Sequence, residues 1–229
     1  MPVHYAPASG TLSGIWLLVA IPLASAAILL LLGRRADRWG HWLGVGSIGV
    51  SFILGLVYFI SLRGLSGPYR AAELKLFDFI DVGTFKAQAN LLFDPLSAIF
   101  VLLITGVGFL IHLYAVGYMA GDPGRRRFFG YFNLFAAAML LLVLGGNYLM
   151  TFLGWEGVGL ASYLLIAFWY DRPSATTAGK KAFIMNRVGD FGFLVGLMIL
   201  WTYFGTFQFA DRKEDGELKC PEKIGRAHV

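Results

Sequence analysis

Residues 128–170 read FFGYFNLFAAAMLLLVLGGNYLMTFLGWEGVGLASYLLIAFWY, and the one charged residue among them is Glu156. As a single α-helix at about 1.5 Å per residue the stretch would run to roughly 65 Å, about twice the hydrocarbon core of a bilayer. Gly145-Gly146-Asn147 falls near its middle, and such residues favour a turn and a fresh helix start over continued helix. The stretch therefore predicts two antiparallel membrane spans, the second with a carboxylate near its centre.

The same reading extends in both directions. No Asp, Glu, Lys or Arg occurs in 1–33, 39–62, 95–121 or 191–210, and blocks of roughly 20 apolar residues suffice to cross a bilayer. Of the 229 residues 57% are hydrophobic and 14% charged, against about 25% charged in soluble domains. The fold class expected is all-α: a polytopic transmembrane helix bundle of about six spans. Span one covers about 14–32, with Pro22 inside it, and is read as a retained span because no basic segment precedes it as in a signal peptide. Span two covers 42–62, where Gly44, Gly46, Gly49 and Gly55 predict close helix contact. Span three covers 95–115, behind an Asp94-Pro95 start signal. Span six covers 182–204, following a polar loop over Asp171–Lys181.

Between spans two and three, the loop at 63–91 alternates loosely over Leu74–Ala89 around Asp81-Val82-Gly83-Thr84, which predicts a small hairpin. Three segments result: 1–115, helices 1–3 with their outside loop; 116–205, helices 4–6; and 206–229, a charged tail. Two readings stand for that tail, native polar sequence and non-native sequence beginning near 210. The second arises because Ile224–Val229 is what one frame of a common sequencing-library adapter encodes.

Placing the N-terminus outside puts nine cations on the inner loops: Arg34, Arg35, Arg38, Arg125, Arg126, Arg127, Arg172, Lys180 and Lys181. Four lie on the main outer loop: Arg63, Arg70, Lys75 and Lys86. This asymmetry is the positive-inside pattern. The net charge of +5 is thus distributed as membrane topology requires, not as a nucleic-acid footprint. The single Cys220 leaves no disulfide framework or cysteine metal site, and no metal ligand set, glycine-rich phosphate loop or dinucleotide fingerprint is present.

Chemistry concentrates in the last two spans. Glu156 lies about nine residues beyond Asn147, hence roughly 13 Å deep. A charged carboxylate at mid-membrane costs about 2.5–3.5 kcal/mol, and taking up a proton removes that cost. Asp190 sits at a comparable depth in the neighbouring antiparallel span, with Arg187 three residues before it on the same helix face. Arg187 and Asp190 fit a proton relay and an inert ion pair equally. Lys180 and Lys181 fit flanking interfacial charges, with Lys181 also a candidate for the relay. Asp94 fits a helix cap. His112 stands alone, without a second histidine at ligand spacing. Trp155, Trp169 and Trp201 fit interfacial anchors or packing residues.

Phe152-Leu-Gly-Trp-Glu-Gly-Val-Gly-Leu-Ala-Ser-Tyr-Leu-Leu-Ile166 and Lys181-Ala-Phe-Ile-Met-Asn-Arg-Val-Gly-Asp190 closely resemble the subunit L family of NADH–quinone oxidoreductase, the antiporter-like membrane subunits of respiratory complex I. Phe93-Asp-Pro-Leu-Ser97 and Gly108-Phe-Leu-Ile-His-Leu-Tyr114 resemble the same family, and the resemblance covers about 1–205. It implies a multi-pass subunit of the bacterial inner membrane that pumps protons, beside other membrane-arm subunits, using energy from NADH oxidation by quinone. NADH, FMN, iron–sulfur clusters and quinone would sit on partner subunits, with no cofactor in this chain. Glu156 matches the family's fifth-helix acid, and Asp190 and Arg187 match the charged pair of its sixth helix. The family's proteins are more than twice as long, so the resemblance implies an N-terminal fragment ending before the broken helix that carries the channel lysine. The Trp-Glu pair is shared with sodium/proton antiporter subunits, which remain an alternative, as does a structural membrane scaffold.

Overall fold

The computed structural model describes residues 6–64, 71–82 and 85–209, with the backbone of 211–212 and 218–219. The expected turn at 83–84, Arg70 and Cys220 lie outside the described residues, as does most of the tail.

Among the described residues, six helices are long and apolar enough to cross a membrane. They are α1 (Leu17–Leu31, entered through a 3-10 turn at Gly10–Gly14), α2 (Gly40–Arg63), α3 (Pro95–Tyr118), α4 (Arg125–Leu144), α5 (Tyr148–Ile166) and α6 (Pro173–Phe204). Pro22 sits inside α1. The expected hairpin forms, and is longer than the alternation indicated: β2 (Ala72–Val82) pairs antiparallel with β3 (Phe85–Phe93), while a short strand β1 (Ala6–Pro7) joins β2 in parallel. Asp94 caps α3, its side chain accepting from Ser97 N at 2.7 Å while Ser97 Oγ accepts from Asp94 N at 2.8 Å.

One expectation fails. The segment 171–181 is not a loop, since α6 begins at Pro173 and carries Lys180 and Lys181 within it. Proline at the first helical position is pre-set for helix, and the alanines and lysines that follow are good helix formers. Polarity signals the membrane boundary there, not the helix boundary. At its far end α6 stops at Gly205, whose φ of 70° is left-handed and suits glycine.

Helices α1 to α4 form the bundle. α4 packs against α1 and α5, α2 packs against α3, and α6 touches the rest chiefly through α5. The glycines of α2 serve as expected at Gly44, beside Phe129 and Asn133, at Gly49, beside Phe109, and at Gly55, beside Val101; Gly46 instead faces open space. The tightest seam is α4–α5, where a Cβ on Gly154 would stand 2.5 Å from Leu142 Cα. The turn between these helices is tied down by Asn147, whose Oδ1 accepts from Met150 N (2.8 Å) and whose Nδ2 donates to Gln88 O (2.6 Å) and Asn90 Oδ1 (2.5 Å). Asn90, fully buried, donates in turn to Glu73 (2.6 Å) and Gln208 (3.1 Å). The hairpin is thereby locked to the base of α5, and α5 carries Glu156.

At Gly154 the obstructing atoms belong to the α4 backbone and cannot rotate away. Gly154→Ala is expected to cost on the order of 1–3 kcal/mol, read as a lower melting temperature of the chain in detergent. Gly46→Ala, with nothing within 4 Å, should leave that temperature unchanged or slightly raised. Equal effects at the two positions would refute the clamp.

Candidate functional site

Along α6 the buried residues are Gly179, Asp190 and Leu197. An aspartate among three buried residues on a membrane helix requires partners, because an unpaired charge is severely penalised without water. Asp190 has two. The Trp155 indole donates to its Oδ1 at 2.9 Å, and Arg187 Nη1 lies 3.6 Å from its Oδ2. The same Arg187 nitrogen donates to Glu156 Oε2 across the α5–α6 seam.

Sequence spacing thus places Glu156, Arg187 and Asp190 together, and the structure makes Arg187 the bridge between helices. Two carboxylates share one guanidinium, leaving a formal excess of one negative charge. A single proton on either acid would neutralise the group. The Asp190 side chain is 9% exposed and that of Glu156 23%, whereas Arg187 retains 44%. Asp190 is therefore the closed end of the cluster and Arg187 its open flank. On the hairpin side of Glu156 lies a cavity of about 220 Å3 whose other lining residues are Phe79, Leu149, Met150, Phe152 and Leu153. Such an apolar space does not favour water, so it insulates the carboxylate from the hairpin face.

Lys181 is not brought into the cluster. It lies on α6, exposed, six residues before Arg187, hence roughly 9 Å along the axis. His112 is fully buried, stacked on Phe132 with ring centroids 3.9 Å apart. Its Nδ1 lies 2.7 Å from Gly108 O, and its Nε2 lies 3.4 Å from Asn133 Nδ2. Since the carbonyl can only accept, the proton belongs on Nδ1. Asn133 also accepts from Ser47 Oγ at 2.5 Å, so α2, α3 and α4 share a buried polar node that sequence reading left as an isolated histidine. Trp155 and Trp169 likewise do more than anchor or pack. Trp155 orients Asp190, and Trp169 donates to Asp122 Oδ2 at 2.8 Å, tying the α5–α6 connection to the α3–α4 turn. A polar-tipped ring one residue before the acid was the available signal for Trp155.

Residues 79–129 match the family described as NADH-ubiquinone oxidoreductase (complex I), chain 5 N-terminus, and 145–217 match NADH:quinone oxidoreductase/Mrp antiporter, TM. NADH-quinone oxidoreductase subunit L of Mycobacterium tuberculosis (strain CDC 1551 / Oshkosh) is 56% identical over 195 residues, 85% of this chain and 31% of that protein. The chain belongs to the subunit L family of antiporter-like complex I subunits. It spans about a third of the length of the curated relatives it matches. Two solved structures share the fold of this subunit L family member. One is a chain of the membrane-bound sulfane sulfur reductase, an archaeal respiratory membrane complex, with TM-score 0.71 and 21% identity over 86% of this chain and 38% of that one. The other is a chain of the Mrp complex from Dietzia sp. DQ12-45-1b, with TM-score 0.68 and 23% identity over 85% of this chain and 20% of that one. The all-α membrane fold expected from the sequence is the fold of these neighbours.

Arg187→Gln removes the guanidinium that joins α5 to α6 and leaves both acids without their cation, so its melting temperature in detergent is expected to fall well below that of Lys181→Gln, which removes a cation of the same helix outside the cluster. Equal melting temperatures for the two variants would rule out the shared-cation arrangement.

Proposed function

We propose that this chain contributes to a proton-translocating membrane-arm subunit of NADH–quinone oxidoreductase, in which NADH oxidation by quinone drives proton pumping. The observation that carries the reading is the Glu156–Arg187–Asp190 group, one negative charge in excess, set between two membrane helices. Moving one charge across 100 mV takes about 2.3 kcal/mol, close to the about 2.5–3.5 kcal/mol cost of a carboxylate at mid-membrane. A change in the surroundings of Glu156 is therefore on the right scale to move a proton against the field.

On this reading residues 1–115 supply the N-terminal helices and 116–205 the start of the antiporter-like domain. Glu156, Asp190 and Arg187 serve the proton channel directly. Lys181 acts further along α6 toward the basic face. NADH, FMN, iron–sulfur clusters and quinone belong to partner subunits, and neighbouring antiporter-like subunits pack beside this one. The nine-against-four distribution of cations supports an N-terminus outside, and the mycobacterial relative supports placement in a bacterial inner membrane.

A second reading, a subunit of a multisubunit sodium/proton antiporter, is favoured by the family shared with Mrp antiporters and by the Dietzia likeness. Co-purification of the full-length subunit with NADH dehydrogenase activity separates the two.

In the full-length subunit, Glu156→Gln is expected to lower proton pumping several-fold while the complex still assembles and oxidises NADH. Pumping at the parental rate in that variant would leave a structural scaffold as the better reading.

A further inference from the structure

We propose that the cavity at the basic end of the α4–α5–α6 seam is a seat for a phosphate group, supplied by the headgroup of an anionic phospholipid. The cavity measures about 200 Å3 and is lined by Arg127 and Tyr131 of α4, Tyr163 of α5, Tyr170 of the following connection, and Thr176 and Lys180 of α6, among others. Two cations and four hydroxyl-bearing side chains converge there, and no carboxylate lines the space. An adjoining cavity of about 490 Å3 shares Arg127 and Tyr170, but there Asp122 and Asp171 offset Arg127 and Arg172. The first cavity therefore has a net positive lining and the second does not.

The three consecutive arginines of α4 show how the chain divides its positive charge. Arg125 donates to Val116 O at 2.8 Å. Arg126 pairs with Asp37 at 2.9 Å and donates to Leu29 O at 2.5 Å. Both are engaged by the protein itself. Arg127 instead lies across aromatic faces, 5.0 Å from the Tyr170 centroid and 5.6 Å from that of Phe168. Those rings fix the plane of the guanidinium without neutralising it. Among the described residues neither Arg127 nor Lys180 has an ion-pair partner. A planar guanidinium held in position presents paired N–H donors to phosphate oxygens, Lys180 adds a mobile second charge, and the tyrosine hydroxyls can donate to the remaining oxygens.

The location fits a lipid. The cavity opens where α4 begins and α5 ends, beside Trp169 and Tyr170, the level at which headgroups and interfacial aromatics meet. Basic pockets between membrane helices bind anionic headgroups in this way. An occupant there would bridge α4, α5 and α6, joining the sparsely packed α6 to the bundle at the end remote from the hairpin.

Native mass spectrometry of the full 229-residue chain in detergent, titrated with phosphatidylglycerol, tests the site. The parent is expected to retain one lipid. Arg127→Gln/Lys180→Gln should weaken retention about tenfold or more, with helical content by circular dichroism confirming that the variant folds. Arg34→Gln/Arg35→Gln, which removes two cations of the same face, should behave as the parent. Undiminished retention in Arg127→Gln/Lys180→Gln, or an equal loss in Arg34→Gln/Arg35→Gln, overturns the proposal. Millimolar inorganic phosphate distinguishes the sources. Failure to displace phosphatidylglycerol supports the lipid headgroup, and competitive displacement overturns that source in favour of free phosphate.

Discussion

Where water is absent, charge has to be answered by charge, and in this chain one guanidinium answers two carboxylates. Arg187 holds Glu156 on one helix and Asp190 on its own, so the paired charges of the α5–α6 seam form a single group. Exposed ion pairs contribute little because water competes for both partners. Here the alternative to pairing is a bare charge among hydrocarbon, and the group dictates which faces of α5 and α6 must meet. The apolar side chains beside it, Phe152 and Phe193 stacked with centroids 5.3 Å apart, complete the seam.

Two further groups of polar side chains in the bundle interior act as positioning devices. Asn147 and Asn90 are small, buried and fully engaged, and they convert an extramembrane hairpin into a fixed support for the start of α5. The Ser47–Asn133–His112 node does the same between α2, α3 and α4. Each is satisfied within the protein, as buried polar groups must be, and each lets an apolar bundle select one packing among many of similar hydrophobic content.

The helices were legible in the sequence because the bilayer imposes a length and a composition that few other environments demand. The central cluster was legible as well: helical spacing put Arg187 next to Asp190, and antiparallel depth put both level with Glu156. What spacing does not encode is which way a side chain reaches. Nothing in the order of residues states that Arg187 crosses to Glu156, or that the Trp155 indole turns to Asp190. The start of α6 was hidden for a different reason, since the chain remains helical after leaving the apolar layer and composition follows the solvent, not the hydrogen bonding. Asn147 was visible as a turn residue, but its ties to Gln88 and Asn90 depend on a hairpin nearly sixty positions earlier.

The two seams of α5 are mechanically unequal. Toward α4 the helix is pressed backbone to backbone at Gly154, and toward α6 it is met by one buried aspartate, its charged neighbours and a few rings. A push delivered to the bundle would therefore move α4 and α5 as one stiff plate, with α6 hinged against it. Such a hinge turns a small sliding motion into a change in how closely a cation stands to each of two acids, so the helix with the smallest buried share is the one best placed to sense strain.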